Sequence, residues 1–313
     1  MSKPVPSESL LNFLRELPDV DAPELLKAYE KPFPQTIRVN TLKISEQRCL
    51  DMLRGKGVRL EKIPWGRFGY YVKSPGSPSE TMEHALGFIY LQGPVSMLAA
   101  ELLDVTPGLV VLDMCAAPGS KSTQIAQLLQ GEGVLVANDV SVGRMRALAF
   151  NLQRCGVLNS VTTLVDGRSF GRREPGLFDR VLVDAPCSSL GIVSRDWRIA
   201  KRWKEGVSER LSHLQLGLIL SGFDALRPGG AMVYATCTFH PLENEHVVNE
   251  LVKRRAEARI REIKLTSPPH LKALDSWEGV RFEEEVEECV RIYPHQSGAE
   301  GFFLAKIEKI ERA

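Results

Sequence analysis

No two cysteines stand close enough to form a CxxC zinc or redox motif: Cys49, Cys115, Cys155, Cys187, Cys237 and Cys289 are scattered along the chain. That excludes a zinc ribbon and a disulfide-stapled scaffold. The sequence also lacks an apolar run of the roughly 18 residues needed to cross a bilayer. Its start, MSKPVPSESLLNFL, has neither the basic flank nor the apolar stretch of a secretory signal, so a cytoplasmic, membrane-free protein is the expectation. Neither sign of charge is in excess, with Lys+Arg 40 against Asp+Glu 39 and a net charge of +1. A histone-like coat on nucleic acid is thereby excluded, whereas a local basic track along RNA is not. Two nucleotide motifs are missing as well. Gly119-Ser120-Lys121-Ser122 lacks the glycine directly before lysine that a phosphate loop needs, position 114 is Met114, and no GxGxxG occurs.

What remains is the composition of a folded globular protein: 313 residues, 43% hydrophobic and 25% charged, enough for one large or two ordinary domains. QTIRVNTLK (35–43), ISEQRCLDMLRGKGV (44–58) and RLEKIPW (59–65) read as strand, amphipathic helix and strand, a small α+β unit. The Pro/Gly/Ser stretch VKSPGSPSE (72–80) reads as a linker, dividing the chain at 1–80 and 81–313. Beyond it, strands are expected at 109–115, 134–139, 161–166, 180–185 and 231–237, with helices at 120–130, 141–156 and 208–227. This alternation predicts an α/β, doubly wound, mostly parallel sheet, with a late hairpin (288–295 and 300–310) extending its edge.

In such sheets ligands lie beyond the carboxyl ends of the strands. The first strand carries Asp113 and runs into Cys115-Ala116-Ala117-Pro118-Gly119-Ser120-Lys121, small residues turning into a helix whose N-terminus offers free N–H groups to an anionic or zwitterionic ligand. The second ends in Asp139, placed to accept from ribose hydroxyls, and the third in Asp166, suited to the amine of an adenine ring. The fourth leads to Asp184-Ala185-Pro186-Cys187-Ser188-Ser189 and the fifth to Thr236-Cys237-Thr238, so both thiols sit at one edge of neighbouring strands. Singly, a strand-end cysteine reads as buried filler and a strand-end aspartate as a helix cap. Their common placement points to a pocket for a nucleoside bearing an amino acid tail.

Together these runs resemble the RNA 5-methylcytosine methyltransferases of the Nol1/Nop2/Sun (RsmB/NOP) family. Tyr90-Leu91-Gln92 with Ser96, and Arg291-Ile292-Tyr293-Pro294-His295 with Gly301-Phe302-Phe303, extend the likeness over roughly the last three quarters of the chain. The resemblance implies a Rossmann-like class I methyltransferase fold, an RNA-recognition-like N-terminal domain, and methylation of cytosine carbon 5 from S-adenosylmethionine without a metal. It assigns Cys237 as the thiolate that adds to carbon 6 and makes carbon 5 nucleophilic. Cys187 then assists proton removal or adduct release, Asp184 bonds the base at N3 or its amine, and Lys121 projects toward base and donor. The donor is expected along Cys115 to Lys121, its ribose on Asp139, its adenine near Asp166 and its amino acid end near Asp184. Arg144 reads either as a partner of a donor-binding carboxylate or as a surface helix arginine.

His240 and His295 lack a second spaced ligand and read as structural. The run from Arg195 to Lys204 mixes five cations with Trp197 and Trp203, and reads as an RNA edge with a stacking tryptophan or as a plain amphipathic helix. The segments 252–264 and 283–288 read as solvated surface, the acidic one turned away from RNA. The target cytosine must leave its stack. A monomer acting on tRNA is favoured, since a compact enzyme suits a small folded target, with rRNA open. Three other readings compete: a DNA cytosine methyltransferase using Cys187 alone, a noncatalytic RNA-binding scaffold, and a redox enzyme whose cysteine pair the strand spacing would hold too far apart for a disulfide.

Overall fold

The computed structural model describes residues 5–311. Ser7 and Asp21 cap two short helices, α1 (Glu8–Glu16) and α2 (Ala22–Tyr29), by accepting from Leu10 N and Glu24 N. Leu10, Phe13 and Leu14 fall on one face of α1 and are buried, with the Phe13 ring against Trp203, His240 and Trp277. Tyr29, closing α2, donates to Leu190 O at 2.8 Å. These opening helices pack on the core of the large domain, with Leu10, Phe13, Leu14, Leu25 and Tyr29 in one apolar cluster with Trp203, Phe223 and Tyr234. Periodicity marks an apolar stripe but does not say which surface receives it.

β1 (Thr36–Val39), α3 (Glu46–Gly55), β2 (Leu60–Lys62), β3 (Gly69–Val72), α4 (Met82–Ala85) and β4 (Ile89–Leu91) come next. The strands form an antiparallel sheet in the order β2-β3-β1-β4, with Ile37 opposite Leu91. Ile37, Val39 and Ile89 from the sheet pack on Cys49, Leu50 and Leu53 of α3. The stretch at 72–80 is thus a crossover inside this sheet, and a boundary at 80 would separate β4 from its partner. Proline, glycine and serine punctuate turns within domains as readily as between them.

The large domain runs through α5 (Ser96–Glu101), β5 (Val110–Asp113), α6 (Ser120–Leu129), β6 (Val134–Asn138), α7 (Val142–Arg154), β7 (Ser160–Thr163), α8 (Phe170–Arg173) and β8 (Phe178–Asp184). It continues with α9 (Arg198–Arg202), α10 (Glu205–Ala225), β9 (Leu226–Thr236), α11 (Glu245–Arg254), β10 (Ala258–Arg261), β11 (Leu271–Lys272), the small pair β12 (Ser276–Trp277) and β13 (Val280–Arg281), then β14 (Val290–Ile292) and β15 (Phe302–Lys309). The sheet order is β11-β14-β15-β9-β8-β5-β6-β7, with β10 also beside β15. The five strands from β9 to β7 are mutually parallel, as a doubly wound fold requires, and β15 lies antiparallel on β9.

Alternation along the central strands feeds two apolar layers. Val181, Val183 and Tyr234 pack with Leu218 of α10 and Val247 of α11. Leu182, Val233 and Ala235 pack with Leu98 of α5, Ile125 of α6 and Leu148 of α7. The chain starts at β5, winds outward to β7, then returns to β8 on the other side. Strand order therefore reverses between β5 and β8, and a crevice opens at their carboxyl ends.

Candidate active site

The turn after β5 is shaped by Gly119, whose φ of 106° is left-handed and whose added Cβ would come within 3.1 Å of Leu148. Asp139, just past β6, is buried and ties this turn down: its Oδ2 accepts from Ala117 N at 3.3 Å and its Oδ1 from Ser141 N at 2.9 Å. Arg144 Nη1 lies 3.4 Å from Asp139 Oδ2, and its Nη2 donates to Ala117 O. Asp166, past β7, is held by Arg168 at 2.6 Å, and that hydrogen bond keeps its carboxyl below the usual range.

A cavity of about 510 Å³ brings Cys115, Asp139, Arg144, Asp166, Asp184 and the two thiols of Cys187 and Cys237 together. A second cleft of about 600 Å³ meets it at Cys115 and Asp184. Of the expected donor-binding run, only Cys115 lines the first cavity. Ala116, Ala117, Pro118, Ser120 and Lys121 line the second cleft, and Gly119 lines neither. The backbone turns between the chambers, so one run of sequence serves both.

Cys187 Sγ and Cys237 Sγ are 3.2 Å apart, and both are free thiols. The expectation that strand spacing holds them too far apart for a disulfide is corrected. β8 and β9 are hydrogen-bonded neighbours with Asp184 opposite Ala235, and the loops beyond them turn toward each other. Those loops are tied by Ser188 Oγ to Thr238 Oγ1 at 2.8 Å and by Gly191 N donating to Cys237 O at 2.9 Å. The two sulfurs are not equivalent. The hydrogen bond with Cys187 lowers the pKa of Cys237 against the effect of burial, with Ser189 Oγ at 3.6 Å and the Lys121 charge adding to it. Cys187 is pushed well above its ordinary value by the same hydrogen bond and by burial.

Lys121 is buried, its Nζ donating to Asp184 Oδ2 at 2.7 Å and lying 5.2 Å from the centre of the Phe302 ring. Burial alone would lower its pKa; Asp184 more than reverses this, and the ammonium stays charged. Behind it, Asp113 is buried and its Oδ2 accepts from Ser122 Oγ at 2.6 Å. Burial pushes the Asp113 carboxyl up to about 7.

Sequence reasoning did not single out Glu243. This buried carboxylate accepts from Ser188 N at 2.9 Å, Ser208 Oγ at 2.6 Å and Gln215 Nε2 at 2.9 Å, and so fixes the loop carrying Cys187 against α10. Asn244 does the same for the other loop, accepting from Thr236 Oγ1 at 2.7 Å and donating to Thr238 O at 3.0 Å. The signal available was the acidic run Pro241-Leu242-Glu243-Asn244-Glu245 directly after Thr-Cys-Thr.

Of the two tryptophans near Arg195, Trp203 is not available as a stacking platform, whereas Trp197 is half-buried. Trp203 is buried against Phe13 and His240, and Trp197 meets Tyr29 edge-on at 6.3 Å. Arg198 pairs with Asp196 on the surface, and Arg195 with Glu300 beside the second cleft. His240 stacks on Phe13 at 4.3 Å, and burial holds it neutral with its pKa near about 3. Among the described residues no group of three or more His, Cys, Asp or Glu side chains is placed to hold a metal ion, and no helix is long and apolar enough to cross a membrane.

Residues 100–308 match the family model described as 16S rRNA methyltransferase RsmB/F, and residues 6–94 match the N-terminal domain of 16S rRNA methyltransferase RsmF. The tRNA (cytosine(49)-C(5))-methyltransferase of Pyrococcus abyssi is 42% identical, over 92% of this chain and 92% of its own. Ribosomal RNA small subunit methyltransferase F of Vibrio campbellii is 39% identical over 92% of this chain, which spans 59% of that longer protein. Among solved structures, a methyltransferase homolog protein from Pyrococcus horikoshii superposes with a TM-score of 0.85 at 34% identity, covering 97% of this chain and 100% of that one. NSun6 from the same organism, solved with SFG, shares the fold at a TM-score of 0.83 and 24% identity, over 98% of this chain and 99% of its own.

Proposed function

The chain belongs to the RsmB/F methyltransferase family, and from that membership we propose that it methylates carbon 5 of cytosine in RNA, with S-adenosylmethionine as donor and Cys237 as covalent nucleophile. The observation that carries this reading is the placement of a thiol with a lowered pKa, Cys237, on the wall of the cavity that also holds Asp139 and Asp184.

The cavity's chemistry suits the donor. Asp139 and Asp166 supply acceptors for ribose hydroxyls and a ring amine, and Asp184 supplies one for an ammonium group. Bound there, the donor supplies an electrophilic methyl group on a sulfonium centre. Carbon 5 of cytosine is too poor a nucleophile to take that group unaided. The Cys237 thiolate adds to carbon 6, forming the sulfur–carbon bond and moving electron density to carbon 5. Asp184, at the junction of the two chambers, takes the exocyclic amine of the base, and Lys121 holds that carboxylate in place. Carbon 5 takes the methyl group as the donor's carbon–sulfur bond breaks; water then takes the carbon-5 proton, the freed electron pair restores the carbon 5–carbon 6 double bond, and the carbon 6–sulfur bond breaks to release Cys237 as thiolate. The Cys187 S–H, 3.2 Å from Cys237, is placed to stabilise the departing sulfur as thiolate.

The RNA is tRNA in our reading, because the relative named for tRNA matches over 92% of both chains. A ribosomal substrate is the second reading, favoured by the names of both matching family models. Bisulfite sequencing of total RNA treated with the enzyme and tritiated-methyl donor separates them. New 5-methylcytosine in tRNA is the expected result, and modification confined to rRNA would reverse the choice. Absence of label in any RNA would leave a noncatalytic RNA-binding protein.

A further inference from the structure

The second cleft is larger than one pyrimidine ring requires, and its outer wall is built around a single arginine. Arg195 Nη2 lies 2.9 Å from Glu300 Oε1, and the Glu300 carboxylate is 1% exposed. Glu300 Oε2 accepts from Val95 N at 3.4 Å. Gly93 presses so closely on this carboxylate that an added Cβ would fall 1.1 Å from Oε1, which fixes Glu300 from the other side. The Arg195 side chain is nevertheless 53% exposed, and among the described residues its Nε and Nη1 have no hydrogen-bond partner. Its guanidinium carbon stands 5.7 Å from the centre of the Phe33 ring, and Phe33 and Arg195 both line the cleft that ends at Lys121 and Asp184.

A buried carboxylate holding one edge of a guanidinium, with the other edge turned to a cleft, is an arrangement for a planar anion. The pairing with Glu300 orients the group in advance, so little rotamer entropy is lost when the anion arrives. Building on the cytosine-methylation reading, we propose that Arg195, positioned by Glu300, binds the phosphodiester flanking the flipped target nucleotide, while the Phe33 ring supports the guanidinium plane. This makes Arg195 a substrate-positioning residue of the RNA strand. It also accounts for the cleft's extent beyond the base, and it gives the basic segment after Cys187 a contact that its buried tryptophan does not provide.

The test compares wild type, Arg195→Lys and the double variant Arg195→Ala/Glu300→Gln, which leaves no uncompensated buried carboxylate. Each is titrated with a cytosine-containing RNA across a salt series without donor, then assayed for KM of RNA and of donor. The double variant is expected to weaken RNA binding by roughly tenfold or more. It should also lose about 0.7 from the slope of log K against log salt, the share of one single-strand phosphate. Arg195→Lys should keep the slope and lose part of the affinity, since charge survives and the planar edge does not. Donor KM should stay at the wild-type value throughout. An unchanged RNA affinity and salt slope in the double variant overturns the proposal. Because binding is read without methyl transfer, loss of slope in a protein that methylates no RNA would keep this contact and overturn the reaction instead.

Discussion

The sulfurs of Cys187 and Cys237 approach to 3.2 Å across a sequence separation of 50. Two like groups so close do not behave alike: proximity lowers the pKa of Cys237, which also sees Ser189 and Lys121, and raises that of Cys187, which faces Glu243. Environments that push a pair apart in this way divide the roles of attacking and proton-holding group.

Replacing Cys237 with alanine is expected to lower methyl transfer by roughly three orders of magnitude or more, as removal of a covalent nucleophile does. Tritiated-methyl incorporation measures it. Retained activity would hand the attack to Cys187, as a DNA-type cytosine methyltransferase requires.

Cys187→Ala removes the hydrogen bond that lowers the pKa of Cys237. The thiolate then needs a higher pH to form, so the acid limb of adduct formation, followed by quenched denaturing gels, should move upward in pH relative to wild type. A limb that stays in place would separate Cys187 from activation of the nucleophile.

Glu243→Ala strips the acceptor from three donors, Ser188 N, Ser208 Oγ and Gln215 Nε2. An unsatisfied buried group costs about 1–3 kcal/mol, so denaturant unfolding should register a loss of several kcal/mol together with loss of methyl transfer. A neutral outcome in unfolding would mean that water replaces the carboxylate and that the loop does not depend on it.

Stability should fall in acid through His240. Its pKa in the fold is lowered to about 3, so the unfolded chain binds the extra proton as pH drops below about 6.5. Stability from this group is complete above that value, is lost as pH falls toward about 3, and changes by at most roughly 1.4 kcal/mol per pH unit. Chemical denaturation from pH 7.5 to 4.5 should show a shallower loss in His240→Gln than in wild type. Parallel curves would place the acid sensitivity elsewhere.

The doubly wound order and the meeting of Asp139, Asp184, Cys187 and Cys237 were legible because each residue follows a strongly β-patterned run, and topology carries strand ends to one edge. Asp166 and Lys121 also reach the site, but what they touch, Arg168 for one and Asp184 for the other, depends on side-chain reach that spacing does not encode. The placement of α1 was hidden because the surface receiving it is made of Trp203, His240 and Trp277, far along the chain. Trp203 itself misled for the same reason: a tryptophan among cations resembles a nucleic-acid edge until the partner that buries it is in place. Glu243 was passed over because a buried carboxylate satisfied only by neutral donors has the same appearance in sequence as a solvated one.

The most direct measurement is to map the covalent complex formed by Cys187→Ala with cytosine-containing RNA and donor. Nuclease and protease digestion followed by mass spectrometry should find a methylated pyrimidine nucleotide on the peptide carrying Cys237. A nucleotide on any other residue, or no adduct from a variant that still binds RNA and donor while wild type methylates, would contradict the assignment of the two sulfurs.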